Sequence, residues 1–306
     1  MPDALFQGCG TALITPFRPD TSLDEAALRR LAQFQIAQGI DFLVPGGTTG
    51  ESVTLSTAEH LRIVSIVLEE ARRAPRRVPV LAGAGGNNTQ AVTELARQVR
   101  DLGVDGILSV SPAYNKPTQA GLIAHYTQIA SAVAPLPVIV YNVPGRTAGN
   151  IEPATLARLA QIPNLIGVKE ASGSVVQMGD VLAAAPPGFL VLSGDDPLTL
   201  PLIALGGHGL ISVASNEIPG PMAEMVRCAR NNNWQRAREL HFHYLPLLQA
   251  NFLESNPIPV KAAMARLGFC EEIYRLPMTP IGDANRQKLY AVLDRLGLAP
   301  RTAAAV

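Results

Sequence analysis

Lysine is scarce in this chain. Of its 25 basic residues only Lys116, Lys169, Lys261 and Lys288 are lysines, and the rest are arginine. Cysteine is scarcer still. Cys9, Cys228 and Cys270 are odd in number and far apart, which speaks against a disulfide framework or a zinc site and reads as reduced thiols of a cytosolic protein. Charge of neither sign is in excess: 25 basic residues balance 25 acidic ones. A nucleic-acid or membrane-surface protein would normally show a basic excess or stripe. No apolar run approaches the roughly 18 residues that cross a bilayer. The opening MPDALFQGCG lacks the basic start and apolar core of an export signal. These absences lead us to expect a soluble cytoplasmic protein that partners neither nucleic acid nor membrane.

What is present is a repeat. The runs GTALITPF, IDFLVPGG, VPVLAGAG, VDGILSVSP, PVIVYNVP, LIGVKEAS, FLVLSGDD and HGLISVASN begin near positions 10, 40, 78, 104, 137, 165, 189 and 208. Each leads into a Gly/Ser/Thr/Asn/Pro cluster and then a helical stretch. A spacing of roughly 20 to 38 residues suits one strand plus one crossover helix. Continuous rather than alternating apolar runs mean strands covered on both faces, as in parallel sheets. Ser22 with Glu25, Ser56 or Thr57 with Glu59, and the asparagines at 87 and 88 mark helix starts. Eight units predict an α/β fold, a closed (β/α)8 TIM barrel, over 1–230. An open doubly wound sheet is the alternative, but no G-x-G-x-x-G follows the first strand. From 231 onward strand signals stop and three helical stretches remain. They predict a small C-terminal helical domain over 231–306, frayed at 299–306.

In such a barrel the chemistry is expected at the C-terminal strand ends. Lys169 stands out there, because lysine is disfavoured in strands and rarely buried. Strand alternation groups it with Leu165, Gly167 and Ala171, and Gly167 would leave room for its side chain. One reading is a snorkelling lysine, or one paired with Glu170, although arginine would serve an ion pair better. The other is a nucleophile. At a pKa near 10.4 only about 0.04% of a lysine is neutral at pH 7. Desolvation in a barrel mouth disfavours the ammonium and yields an amine that attacks a ketone. The resulting imine withdraws electrons and acidifies the adjacent carbon.

Tyr141, where the run VYNVPGRT loses its apolar character, could move the protons through Thr49, yet strand-end tyrosines also serve as rim residues. GGTTGES, residues 46–52, either brings backbone N–H groups to an anion or is a plain tight turn. Pro144 and Gly145 turn the chain so as to present Arg146. In SGDDP, Asp196 before Pro197 reads as a helix N-cap. The five histidines show no metal spacing, so neither metal nor nucleotide is expected.

GTALITPF, GGTTGES, SPAYNKPTQ, YNVPGRT, GVKEASG, LSGDD, GGHGLISVASN, NPIPVK and LPMTP follow one another in this order. Together they resemble the dihydrodipicolinate synthase / N-acetylneuraminate lyase superfamily of class I, Schiff-base-forming pyruvate aldolases and lyases, across essentially the whole chain. The arginine of YNVPGRT resembles the synthase branch. That resemblance implies condensation of pyruvate with L-aspartate-4-semialdehyde to 4-hydroxy-tetrahydrodipicolinate, at the entry to lysine and diaminopimelate synthesis. It implies no dissociable cofactor, since pyruvate would be held as an imine on Lys169.

By the same resemblance Tyr141, Thr49 and Tyr114 form a proton relay, with Tyr114 reaching across a tight dimer within a dimer of dimers. Taken alone, Tyr114 reads as a loop aromatic. Thr48, Thr49 and the backbone at Ile211 would hold pyruvate, and Arg146 the carboxylate of the aldehyde. Some members carry an inhibitory lysine site, which Ser52, His60 and Asn87 match here. Thr57, Ala91 and Ala113 stand where regulated members have histidine, glutamate and tyrosine, which implies weak or absent feedback. A sister aldolase for 2-keto-3-deoxygluconate, 4-hydroxy-2-oxoglutarate or N-acetylneuraminate stays open as an alternative. So does a barrel that binds a keto acid without turnover.

Overall fold

The computed structural model describes residues 5–298, and the expected frayed tail lies outside them. Eight parallel strands form the centre: β1 (Gly8–Ala12), β2 (Phe42–Val44), β3 (Leu81–Gly83), β4 (Gly106–Val110), β5 (Val138–Asn142), β6 (Leu165–Glu170), β7 (Leu190–Ser193) and β8 (Gly209–Ser212). They pair in the order β2-β1-β8-β7-β6-β5-β4-β3. A parallel bridge between Leu43 and Val80 closes the ring, supported by bonds from Leu43 N to Pro79 O and Gly83 N to Pro45 O, each 2.9 Å. The (β/α)8 barrel expected from eight similar units is the fold.

Helices α1 (Glu25–Ala37), α2 (Thr57–Arg73), α3 (Thr89–Asp101), α4 (Gln119–Val133), α5 (Pro144–Thr147), α6 (Pro153–Leu159), α7 (Val175–Ala184), α8 (Thr199–Ala204) and α9 (Pro219–Arg230) alternate with the strands. The Ser56–Glu59 capping box opens α2 as anticipated, and Asn88 caps α3. The start of α1 differs. Asp24, not Ser22, accepts from Ala27 N, while Ser22 bonds Asp20 in the preceding turn. No described helix is long and apolar enough to cross a membrane.

The apolar residues divide by strand alternation. Leu43, Val80, Ala82, Val140, Val168 and Val191 face outward into the layer shared with the helices. Phe42, Val44, Leu81, Leu108, Ile139 and Leu192 face inward. Phe6 stoppers the N-terminal end of the barrel, edge-on to Phe42 at 5.6 Å. A Cβ on Gly106 would meet the Phe6 ring at 2.8 Å, so glycine is what admits the plug. With that end filled, the barrel interior opens toward its C-terminal mouth.

Three more helices follow: α10 (Trp234–Ala250), α11 (Ile258–Arg266) and α12 (Asp283–Arg295). α10 and α12 contribute Leu240, Leu247, Leu289 and Leu293 to the same apolar cluster as the barrel helices. α11 sets Val260 and Met264 against Ile14 and Val213, just beyond β1 and β8. That contact carries the NPIPVK stretch to the barrel mouth.

Candidate active site

Lys169 lies on β6 between Tyr141 of β5 and Leu192 of β7. It is 5% exposed, and its Nζ sits 4.1 Å from the centroid of the Tyr141 ring. Among the described residues no hydrogen bond or ion pair engages this amine. Glu170, the nearest acid in sequence, faces the other side of the sheet. Its carboxylate accepts from Asn142 Nδ2 at 3.0 Å and from Ser172 N at 2.8 Å. Lys169 is therefore not ion-paired with Glu170.

Two details of the expected strand need correction. The pairing of β5 with β6 slips between Val138 and Ile139, so Leu165 falls in the outer cluster and Ile166 packs against the inner one. Leu165 thus does not share a face with Lys169, because a bulge breaks the two-residue period. Nor does Gly167 make room for the lysine. A Cβ there would strike Leu190, whereas one on Gly194 would lie 2.8 Å from Lys169 Cε. The glycine that admits Lys169 is in LSGDD, on the neighbouring strand end.

The GGTTGES turn follows β2. Gly46 has φ +69 and a Cβ on it would strike the His60 ring at 2.6 Å, so only glycine fits both the turn and the approach. The turn bonds Gly50 N and Ser52 N to Gly47 O, and Glu51 N to Thr48 O. The amides of Thr48 and Thr49 have no partner among the described residues. Two free donors side by side at a barrel mouth suit a carboxylate. Ile211, fully buried on β8, faces the same interior.

Asn256, just before α11, reaches this turn: its Nδ2 donates to Thr49 Oγ1 at 3.0 Å. Its main-chain carbonyl accepts from Arg146 at 3.1 Å. Arg146 sits in the short helix α5, which Pro144 opens. Thr49 and Tyr141 are both buried but make no direct hydrogen bond. Tyr114 is not brought to the site within one chain. It is 90% exposed with φ +68, in a loop fastened where Asn115 Nδ2 donates to Asn87 O at 3.0 Å.

A cavity of about 330 Å³ opens beside these residues, walled by Thr48, Tyr141, Arg146 and Asn256 and continuing to Ser52, His60 and Asn87, while Lys169, Thr49 and Ile211 are not on its lining. Burial pushes the His60 imidazole below its ordinary pKa, and its Nε2 lies 2.8 Å from Gly83 O. Asp196 does not cap the helix that follows it, as the sequence led us to expect. Its carboxylate accepts from Ser212 Oγ at 2.5 Å, Val213 N at 3.0 Å and Ala214 N at 3.2 Å, pinning the turn after β8. Among the described residues no three His, Cys, Asp or Glu side chains gather as a metal set.

Sequence reasoning missed three participants. Gly194 and Asn256 gave no local signal. Lys261 did: it is another of the four lysines, also within an apolar run. Its side chain is fully buried in an ion pair with Glu51 of the GGTTGES turn and donates to Ile273 O at 3.0 Å.

Residues 5–296 match the sequence model of the dihydrodipicolinate synthetase family. The chain belongs to that family. Among its members, the 4-hydroxy-tetrahydrodipicolinate synthase of Koribacter versatilis is 57% identical over 95% of this chain and 96% of its own. That of Acidobacterium capsulatum is 54% identical over 96% and 97%. In three dimensions the dihydrodipicolinate synthase of Aquifex aeolicus superposes with a TM-score of 0.93 at 40% identity, over 97% of this chain and all of the other. Family membership thus extends from the barrel plug to the last described helix.

Proposed function

We infer that this chain is a class I synthase that condenses pyruvate with L-aspartate-4-semialdehyde to 4-hydroxy-tetrahydrodipicolinate. One observation carries the reading: a buried lysine amine without a carboxylate partner, lying on a tyrosine ring at the mouth of the barrel. The names borne by its full-length relatives support the same reaction.

Lys169 Nζ attacks the ketone carbon of pyruvate, and the carbinolamine loses water to give a protonated imine. The imine draws electrons from the methyl carbon, which releases a proton and becomes an enamine. The enamine carbon attacks the aldehyde carbon of the second substrate, whose oxygen takes up a proton. The amino group of that substrate then attacks the imine carbon, closes the ring and expels the Lys169 amine. The electron sink is the imine itself, so the scheme calls for no dissociable cofactor.

The unpaired amides of Thr48 and Thr49, beside the Ile211 backbone, hold the pyruvate carboxylate. Tyr141 and Thr49 carry protons to and from the reacting carbon, with Tyr114 of a second copy completing the relay. The exposure of Tyr114 in an isolated chain is what such service requires. The working form is then a cytoplasmic tight dimer at least, built up as a dimer of dimers. Arg146 holds the aldehyde carboxylate, as a guanidinium fork suits.

The reading is tested with pyruvate and a panel of aldehydes. L-Aspartate-4-semialdehyde should be turned over far faster than glyceraldehyde or glyoxylate, and a preference for either of those overturns it. Arg146→Ala should raise KM for the semialdehyde by about 10- to 100-fold, the loss of one charge-assisted contact, with KM for pyruvate little changed. L-Lysine is expected to leave the initial rate unchanged at sub-millimolar concentration. Ala91 offers no charge to the effector's amine, and Ala113 no aromatic wall on that side of the cavity.

A further inference from the structure

Asn256 joins two parts of the site that lie far from it and from each other in the chain. Its side chain holds Thr49, 207 residues away, and its carbonyl holds Arg146, 110 residues away. Thr49 is 3% exposed and Asn256 4%, so water cannot freely replace the contact between them. The segment is itself anchored. The buried Lys261–Glu51 pair ties α11 to the turn that carries Thr49.

The side-chain contact has a direction. A hydroxyl has one proton to give and two lone pairs that accept. Asn256 Nδ2 can only donate, so Thr49 Oγ1 accepts from it. Thr49 makes no other side-chain hydrogen bond among the described residues. Its own proton is therefore left without a partner among the described residues. Asn256 Oδ1 is buried without a partner and makes no competing demand on that proton.

We propose that Asn256 is a positioning residue which sets the polarity of the Thr49 hydroxyl, keeping its proton available for imine formation. This rests on the Schiff-base reading given above. The role differs from a packing role, because it depends on the amide donating and not on the shape of the side chain. Aspartate has nearly the same shape, yet its carboxylate only accepts. In Asn256→Asp the Thr49 proton turns toward the carboxylate and away from the substrate.

The test follows imine formation with pyruvate alone, by rapid quench into borohydride and intact-mass measurement at saturating pyruvate. Asn256→Asp should slow the maximal rate by about 100-fold and Asn256→Ala by about 10-fold, within the range of general acid–base effects. The Asp variant should regain rate as pH falls and its carboxyl takes up a proton to donate, and the Ala variant should show no such recovery. Melting curves identify a misfolded variant, in which case the other variant decides. Wild-type rates in either folded variant overturn the proposal. So does an Asp variant whose defect is independent of pH. A wild-type protein that forms no adduct removes the Schiff-base reading and this inference with it. An adduct in wild type with unchanged rates in the variants removes only the role of Asn256.

Discussion

Lys169→Met is expected to abolish turnover, by on the order of 10⁴-fold or more, while leaving the protein at least as stable as before. The first half follows from the loss of a nucleophile, which no neighbouring group replaces. The second half follows from the absence of a partner. Lys169 makes no ion pair or hydrogen bond among the described residues, and its contact is with the face of Tyr141. A buried amine in that position costs desolvation without recovering it in a pair, and methionine fills similar space without that cost. Lys169→Arg separates charge from nucleophilicity. The guanidinium puts a permanent cation over the ring and cannot act as a nucleophile, so it too should be inactive. Thermal melting and steady-state turnover on the same preparations check both halves. An inactive variant that is also several kilocalories less stable would mean that Lys169 is structural.

Lys261→Met should give the opposite pattern in stability. Lys261 is fully buried, pairs with Glu51, donates to Ile273 O, and lies 4.4 Å from the Phe17 ring and 5.1 Å from Tyr274. Burial pushes its ammonium below the ordinary lysine pKa even with Glu51 beside it. Removing it strands a buried carboxylate, which typically costs about 3–5 kcal/mol. Glu51 has φ +54 and its main chain shapes the turn after β2. The loss should therefore also disorder the Thr48 and Thr49 amides and raise KM for pyruvate. Replacing both partners, as Glu51→Gln with Lys261→Met, should recover most of the stability, because no unpaired charge remains. Chemical denaturation of the single and double variants measures this. Additive losses would show that the pair is not coupled.

The contrast between these lysines explains what could be read from the sequence. Eight apolar runs announced eight strands, because buried parallel strands carry a continuous signal that depends on nothing far away. Lys169 was legible for the same reason, as a charge set in such a run. Lys261 carried an equal signal in NPIPVK, but its meaning lay in Glu51, a contact across 210 residues. The side of β6 on which Leu165 falls was not legible, since the slip that moves it arises from pairing with β5. Asp196 looked like a helix cap because a local rule fitted, whereas the amides it binds lie 17 and 18 residues on. Arg146, Tyr114 and Ile211 acquired roles only through resemblance. Tyr114 is exposed in the single chain, as Val53 and Leu276 are, so its exposure alone gives it no role.

The most direct test of the account is to reduce the wild-type protein with borohydride in the presence of pyruvate, digest it and map the modified peptide. We predict one pyruvate-derived adduct per chain, on Lys169, absent without pyruvate and absent from Lys169→Arg. No adduct, or an adduct on Lys116, Lys261 or Lys288 in place of Lys169, would contradict it.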